Sequence, residues 1–162
     1  MNRLKTLEGP IERYTITSGS PSQTIDIGKR LGRLVPEGSV ISLEGGLGAG
    51  KTLIAKGICA GLGVDEEVVS PSFILVEEYS GDFNILHFDL YRLDRFEEVE
   101  RVGLFDAVDG RNVVIVEWGD KLPEGSLVPD VRLIMRIAKG EEREIIIEAC
   151  KELTGAIMGG ES

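Results

Sequence analysis

The sequence predicts one α/β domain whose central sheet is mixed, flanked by helices, parallel in its middle and antiparallel at its edges. Three observations carry this. An apolar strand at 39–44 runs through a glycine-rich loop into an amphipathic helix from about 51 to 62. The run NVVIVE at 112–117 is continuously apolar, the mark of a central strand covered on both faces. VRLIMRIA at 131–138 and REIIIEA at 143–149 alternate and read as an antiparallel pair near the end of the chain.

In order, IERYTIT at 11–17 alternates as a strand. Ser20 then caps a helix, with Pro21 at its first position and Gln23 reaching back. Ile27, Leu31, Leu34 and Val35 give that helix one apolar face, and Pro36-Glu37-Gly38 stops it. In the helix at 51–62, Leu53, Ile54 and Ile58 face inward, and Gly61 and Gly63 end it. Ser70-Pro71-Ser72-Phe73 is a polar loop. FILVEEY at 73–79 and FNILHFD at 83–89 are strands joined by a Gly81-Asp82 turn. Asp94 and Glu97 form a second capping box, opening a helix to about Val102, and Leu104 to Val108 add a helical turn. Residues 153–162 end in small residues and are expected to be loose.

The chain has 162 residues, 42% hydrophobic and 28% charged, which fits one globular domain. Its net charge is −10, with no run of basic residues, so this chain is not expected to be a main nucleic-acid-binding surface. Cys59 and Cys150 fall in apolar stretches and read as small buried residues, not a disulfide. With one histidine in the chain they make no zinc set. The N-terminus has no apolar segment of a signal peptide, and no apolar run approaches the ~18 residues of a membrane span. A cytoplasmic protein is the expectation.

The octapeptide GGLGAGKT at 45–52 matches G-x-x-x-x-G-K-[ST] in full. Phosphates need several N–H donors converging on one small volume, and glycines let the backbone wrap that closely. Gly45, Gly46, Leu47, Gly48, Ala49 and Gly50 would form this cradle. Lys51 would supply a point charge for the outer phosphates and Thr52 a hydroxyl for Mg²⁺. The helix that follows directs its positive end at the same point. Strand before and helix after supply the context, so a P-loop NTPase-like domain binding Mg-ATP is expected.

Such a site also needs an acid at the end of a neighbouring strand. Asp89 closes one apolar strand and Glu117 another. Two acids permit a division of labour: Asp89 as metal ligand, Glu117 polarising the attacking water and near the metal. Either acid alone could instead cap a strand or pair with an arginine. His87 lies two residues before Asp89 and shares its sheet face. A lone strand histidine reads first as structural. Trp118, the only tryptophan, reads first as packing, and Arg92 either meets phosphate or a partner or pairs with Asp94 or Glu97.

LEGGLGAGKT, SPSFILVEEY, HFDLYRL and VEWGDKLPE, in that order and spacing, resemble the TsaE family over about residues 20–138. That family is the ATPase component of bacterial tRNA threonylcarbamoyladenosine biosynthesis. The resemblance implies Lys51 and Thr52 as phosphate and Mg²⁺ contacts, Asp89 as metal ligand, Glu117 as catalytic acid and Trp118 as its accompanying aromatic residue. It makes Ser70-Pro71-Ser72-Phe73 a switch-like loop near the γ-phosphate, with Ser72 where the family often has Thr. It matches Thr24 to a threonine near the adenine. It further implies work beside TsaB and TsaD, with tRNA met only indirectly, and ATP hydrolysis that resets the assembly. The competing readings are a small-molecule kinase and a nucleotide-switched docking module. For a kinase, Arg92, Arg95 and Arg101 would be a short lid interrupted by acids. A GTPase finds no D-x-x-G or N-K-x-D.

Overall fold

The computed structural model describes residues 2–71 and 74–159. Its elements are β1 (Ile11–Ser18), α1 (Pro21–Leu34), β2 (Val40–Glu44), α2 (Lys51–Gly61), β3 (Val76–Ser80), β4 (Asn84–Asp89), α3 (Phe96–Arg101), α4 (Leu104–Ala107), β5 (Val113–Glu117), β6 (Val131–Ile137), β7 (Arg143–Cys150) and α5 (Lys151–Gly159). The seven strands form one sheet in the order β1-β7-β6-β2-β5-β4-β3. The four central strands, β6, β2, β5 and β4, run parallel. β3 pairs antiparallel at one edge, and β7 and β1 do so at the other. This is the mixed sheet expected, with β6 serving both the parallel centre and the antiparallel pair.

β5 shows why its sequence is continuously apolar. Val113 and Ile115 pack into the larger core, beneath α1, α2 and α5. Val114 and Val116 face the opposite core, formed with Leu93, Val99, Leu104 and Ala107 around α3 and α4. Among the described residues no helix is long and apolar enough to cross a membrane. Cys59 and Cys150 are both buried and free, as expected.

α1 begins as its sequence dictates: the Ser20 side chain accepts from the Gln23 N–H and the Gln23 side chain accepts from the Gly19 N–H. α1 and α2 then pack through facing glycines. A Cβ built on Gly32 would lie 2.1 Å from the Ile58 carbonyl oxygen, and one on Gly28 would lie 2.5 Å from that of Ile54. These neighbours are helix backbone and cannot turn away. Gly32→Ala would gain about 1 kcal/mol of helix propensity, against a steric cost of about 3 kcal/mol. A net loss near 2 kcal/mol corresponds to a melting point lower by roughly 4–8 °C. Circular dichroism checks this, and an unchanged midpoint would mean that the helices are not in such close contact.

Four expectations need correction. Leu53 does not face inward with Ile54 and Ile58: it is half-buried and belongs to neither core. The strand expected from 73 begins at Val76. Ser72 and Phe73 lie outside the described residues. Ile74 and Leu75 belong to a turn whose N–H groups donate to the Pro71 carbonyl, with Leu75 at φ 71°, so the chain is not extended there. The Asp94–Glu97 capping box is displaced by one residue. α3 has Arg95 at its cap without a side-chain bond, and Glu98 reaches back to the Asp94 N–H at 3.3 Å. The tail expected to be loose forms α5 as far as Gly159. Leu153 and Ile157, four residues apart, bury completely in the larger core, and Arg30 donates to the Ile157 carbonyl at 3.1 Å.

Candidate phosphate-binding site

Three parallel strands deliver the site to one edge of the sheet. Leu43 on β2 lies in register with Glu117 on β5, and Glu117 with Asp89 on β4. The loop that leaves β2 therefore rises beside both acids, at the carboxyl ends where α/β sheets bind ligands. His87, Asp89 and Glu117 share parity with Ile85, Val113 and Ile115, so they face the α2 side of the sheet.

The two glycines that the motif requires adopt backbone angles that other residues avoid: φ is 143° at Gly45 and 104° at Gly50. Gly45 also approaches β6 closely, since a Cβ there would lie 2.4 Å from the Met135 carbonyl. Gly50 caps α2 without any side-chain bond. The first-turn amides thus border a cavity of about 320 Å³, a ready anion site. Gly48, Lys51 and Thr52 line it from the loop, Asp89, Tyr91, Glu117 and Trp118 from the strand ends, and Leu47 projects at its mouth, 68% exposed. Gly45, Gly46 and Ala49 shape the loop from behind, with the Ala49 side chain buried in the larger core.

The Lys51 ammonium donates to the Gly45 carbonyl at 2.7 Å and to that of Gly46 at 2.8 Å, and lies 4.0 Å from the Trp118 ring centre. Burial lowers its pKa, while Glu117, Asp120 and Asp89 pull it back up. Trp118 has φ 64°, a turn that swings its ring over the lysine, and Tyr91 packs on it at 5.0 Å. The Thr52 hydroxyl donates to Glu117 Oε1 at 3.1 Å. His87 Nε2 stands 2.7 Å from Glu117 Oε2. Asp89 accepts from the Ser70 hydroxyl at 3.3 Å and from the Tyr91 N–H at 3.0 Å. It is Glu117, in the middle of the row, that holds the Thr52 hydroxyl.

Of the residues singled out from sequence, Lys51, Thr52, Asp89, Glu117 and Trp118 converge on the one cavity. Thr24 stands apart from it. Its hydroxyl lies 2.7 Å from that of Ser18, and its methyl backs onto Gly50, 3.8 Å from a Cβ built there. Arg92 is exposed on the turn after β4 and does not line the cavity. Ser70 of the switch-like loop reaches the site, whereas Ser72 and Phe73 lie outside the described residues. Tyr91 was not singled out. The available signal was its place in HFDLYRL, directly after the strand that ends in Asp89.

Among the described residues no cluster of three or more His, Cys, Asp or Glu is placed to hold a metal ion. Two carboxylates and a threonine hydroxyl suit a cation that takes part of its shell from water and phosphates, which is how Mg²⁺ binds.

Strand order, loop and paired strand-end acids together define a P-loop α/β domain. Residues 18–145 match the family model described as threonylcarbamoyl adenosine biosynthesis protein TsaE. The chain belongs to the TsaE family, whose members serve in tRNA threonylcarbamoyladenosine biosynthesis. The tRNA threonylcarbamoyladenosine biosynthesis protein TsaE of Treponema pallidum is 38% identical over 130 residues, covering 80% of this chain and 96% of that protein. Its namesake in Bacillus subtilis is 35% identical over 144 residues, covering 83% and 90%. The crystal structure of Bacillus subtilis YdiB superposes with a TM-score of 0.77 at 28% identity, covering 96% of this chain and all of that one.

Proposed function

We propose that the chain binds Mg-ATP at the 45–52 loop and hydrolyses it as the cytoplasmic ATPase subunit of the tRNA threonylcarbamoyladenosine machinery. It acts with TsaB and TsaD, meets tRNA only through that assembly, and resets the assembly between turnovers. The observation that carries this reading is the convergence of Lys51, Thr52, Asp89 and Glu117 on one cavity at adjoining strand ends. The α2 amides and Lys51 bind the phosphates. Thr52 and Asp89 hold the metal side of the nucleotide, and Glu117 orients the attacking water and takes up its proton. A Mg²⁺ held there by Thr52 and Asp89 would supply neutralisation of the phosphate charge. Tyr91 and Trp118 wall the cavity.

A small-molecule kinase is less well supported. Arg95 and Arg101 line a separate surface hollow with Glu97 and Glu98, and neither they nor Arg92 line the phosphate cavity. The net charge of −10 agrees with a subunit that leaves tRNA to its partners.

The deciding experiment measures phosphate release with and without the TsaB and TsaD proteins. Magnesium-dependent release that rises when the partners are added is the expected result. No release from the complete assembly would overturn hydrolysis and leave a nucleotide-switched docking module. Transfer of phosphate to a small acceptor would make the chain a kinase.

A further inference from the structure

His87 is fully buried, yet it is an imidazole where a leucine would fill the same space without burying a polar atom. One of its nitrogens gains a close partner, Glu117 Oε2 at 2.7 Å. The other, Nδ1, is buried with no hydrogen-bond partner among the described residues. A buried polar atom left unpaired calls for a reason. Holding β4 against β5 is not that reason, because five consecutive residue pairs already ladder the two strands together.

We propose that His87 is a positioning residue for Glu117. As an Nε2–H donor it bonds Oε2 and locks the rotation of the carboxylate, so that Oε1 stays turned to the Thr52 hydroxyl. The tautomer follows from the orphaned nitrogen. The Nδ1–H tautomer would bury an N–H donor with no acceptor among the described residues. The Nδ1–H form would also aim the Nε2 lone pair at a carboxylate oxygen. The Nε2–H form leaves only a lone pair unmatched and makes a charge-assisted bond.

The consequence runs outward to the cavity. A carboxylate turns easily about its last side-chain bond, where the torsional wells are broad. With Oε2 held by His87, Oε1 is fixed 3.1 Å from Thr52 Oγ1 and accepts its proton. The hydroxyl then keeps its lone pairs for a cation on the cavity side. One imidazole thereby sets the orientation of two groups that line the site. The inference rests on the proposed function for the roles of Thr52 and Glu117 and adds the residue that aligns them.

His87 is the only histidine in the chain, so nitrogen NMR of its imidazole in tag-free, nucleotide-free protein is free of overlap. The expected spectrum has a protonated Nε2, and Glu117→Gln shifts the Nε2 resonance. An Nε2 without a proton overturns the proposal. Because no turnover is needed, this result stands whether or not the assembly hydrolyses ATP.

The second arm uses kinetics in the assembly. Gln can place an amide N–H near the Nε2 position, whereas Asn places it near Nδ1 and Leu offers none. His87→Leu and His87→Asn are expected to lower kcat by about 10–100-fold, the usual range for residues that orient a ligating group. KM for ATP should stay the same, and His87→Gln should recover most of the loss. Equal loss in all three variants, or none, would make His87 a packing residue and overturn the proposal. An assembly in which the wild-type chain hydrolyses nothing would instead defeat the ATPase reading, and the NMR result alone would then decide the role of His87.

Discussion

Lys51→Ala is expected to raise the Kd for Mg-ATP by about 10–100-fold, since a charge-assisted hydrogen bond contributes about 1.5–3 kcal/mol and each 1.4 kcal/mol is tenfold. Lys51 is the one full positive charge within the loop, and the phosphates it faces carry several negative charges. The surrounding carboxylates sharpen the requirement. Asp89 and Glu117 line the same cavity, so without the ammonium a triphosphate would meet acids with only backbone dipoles to offset them. The fold should tolerate the change. The two carbonyls that Lys51 engages belong to Gly45, which is half-buried, and Gly46, which is exposed, so water can replace the ammonium. The melting point should accordingly move by no more than about 1 kcal/mol would shift it, a few degrees. Isothermal titration of the variant, with circular dichroism as the control for folding, is the measurement. Unchanged affinity in a folded variant would mean that the 45–52 loop is not the nucleotide site.

The loop was legible because its physics is local. Gly45 and Gly50 sit where φ is positive, and the strand before and helix after are each set by their own hydrophobic period. The two acids were legible for a related reason: a carboxylate ending an apolar run declares the end of a buried strand. What lay beyond reach was lateral. Nothing in the linear sequence states that β4 and β5 are neighbours in a register that pairs Asp89 with Glu117. Without that register His87 is a lone strand histidine, and its contact with Glu117 is invisible. The same gap hid the geometry of Thr52, whose hydroxyl meets Glu117 across two elements 65 residues apart.

The misreadings of the fold also have physical causes. α5 buries two large apolar residues, Leu153 and Ile157, together with Thr154, among glycines and small residues that read as a loose end. Its helix is held by docking against the larger core, not by propensity, and docking is a tertiary fact. At α3, Asp94 and Arg95 compete for one cap position, and the turn closed by the Leu90 carbonyl and the Leu93 N–H places Arg95 there. Thr24, matched by resemblance to a threonine near the adenine, has its hydroxyl turned to Ser18 and Ser20 behind the loop.

Glu117→Gln is expected to separate nucleotide binding from turnover. The amide keeps the shape of the side chain, and its oxygen can still accept from one neighbour, so Mg-ATP affinity should change by only a few-fold. Phosphate release in the presence of the partner proteins should fall by about 10²–10⁴, the usual loss when a general base is removed. Alanine at the same position is the less informative variant, for a reason visible in the structure. Glu117 is buried beneath Thr52 and beside His87, and removing the whole side chain would leave His87 Nε2 without its partner as well as Nδ1. Glu117→Ala should therefore also lose about 1–3 kcal/mol of stability, the cost of a stranded buried polar group. Affinity, release rate and melting point measured on both variants distinguish the roles. A catalytic Glu117 gives a glutamine variant that binds, melts near the wild-type midpoint and does not turn over. A merely structural Glu117 gives release that falls only in step with the melting point and with Mg-ATP binding. Normal release from well-folded Glu117→Gln would remove Glu117 from the chemistry, and the base would then have to be Asp89 or a group supplied by a partner subunit.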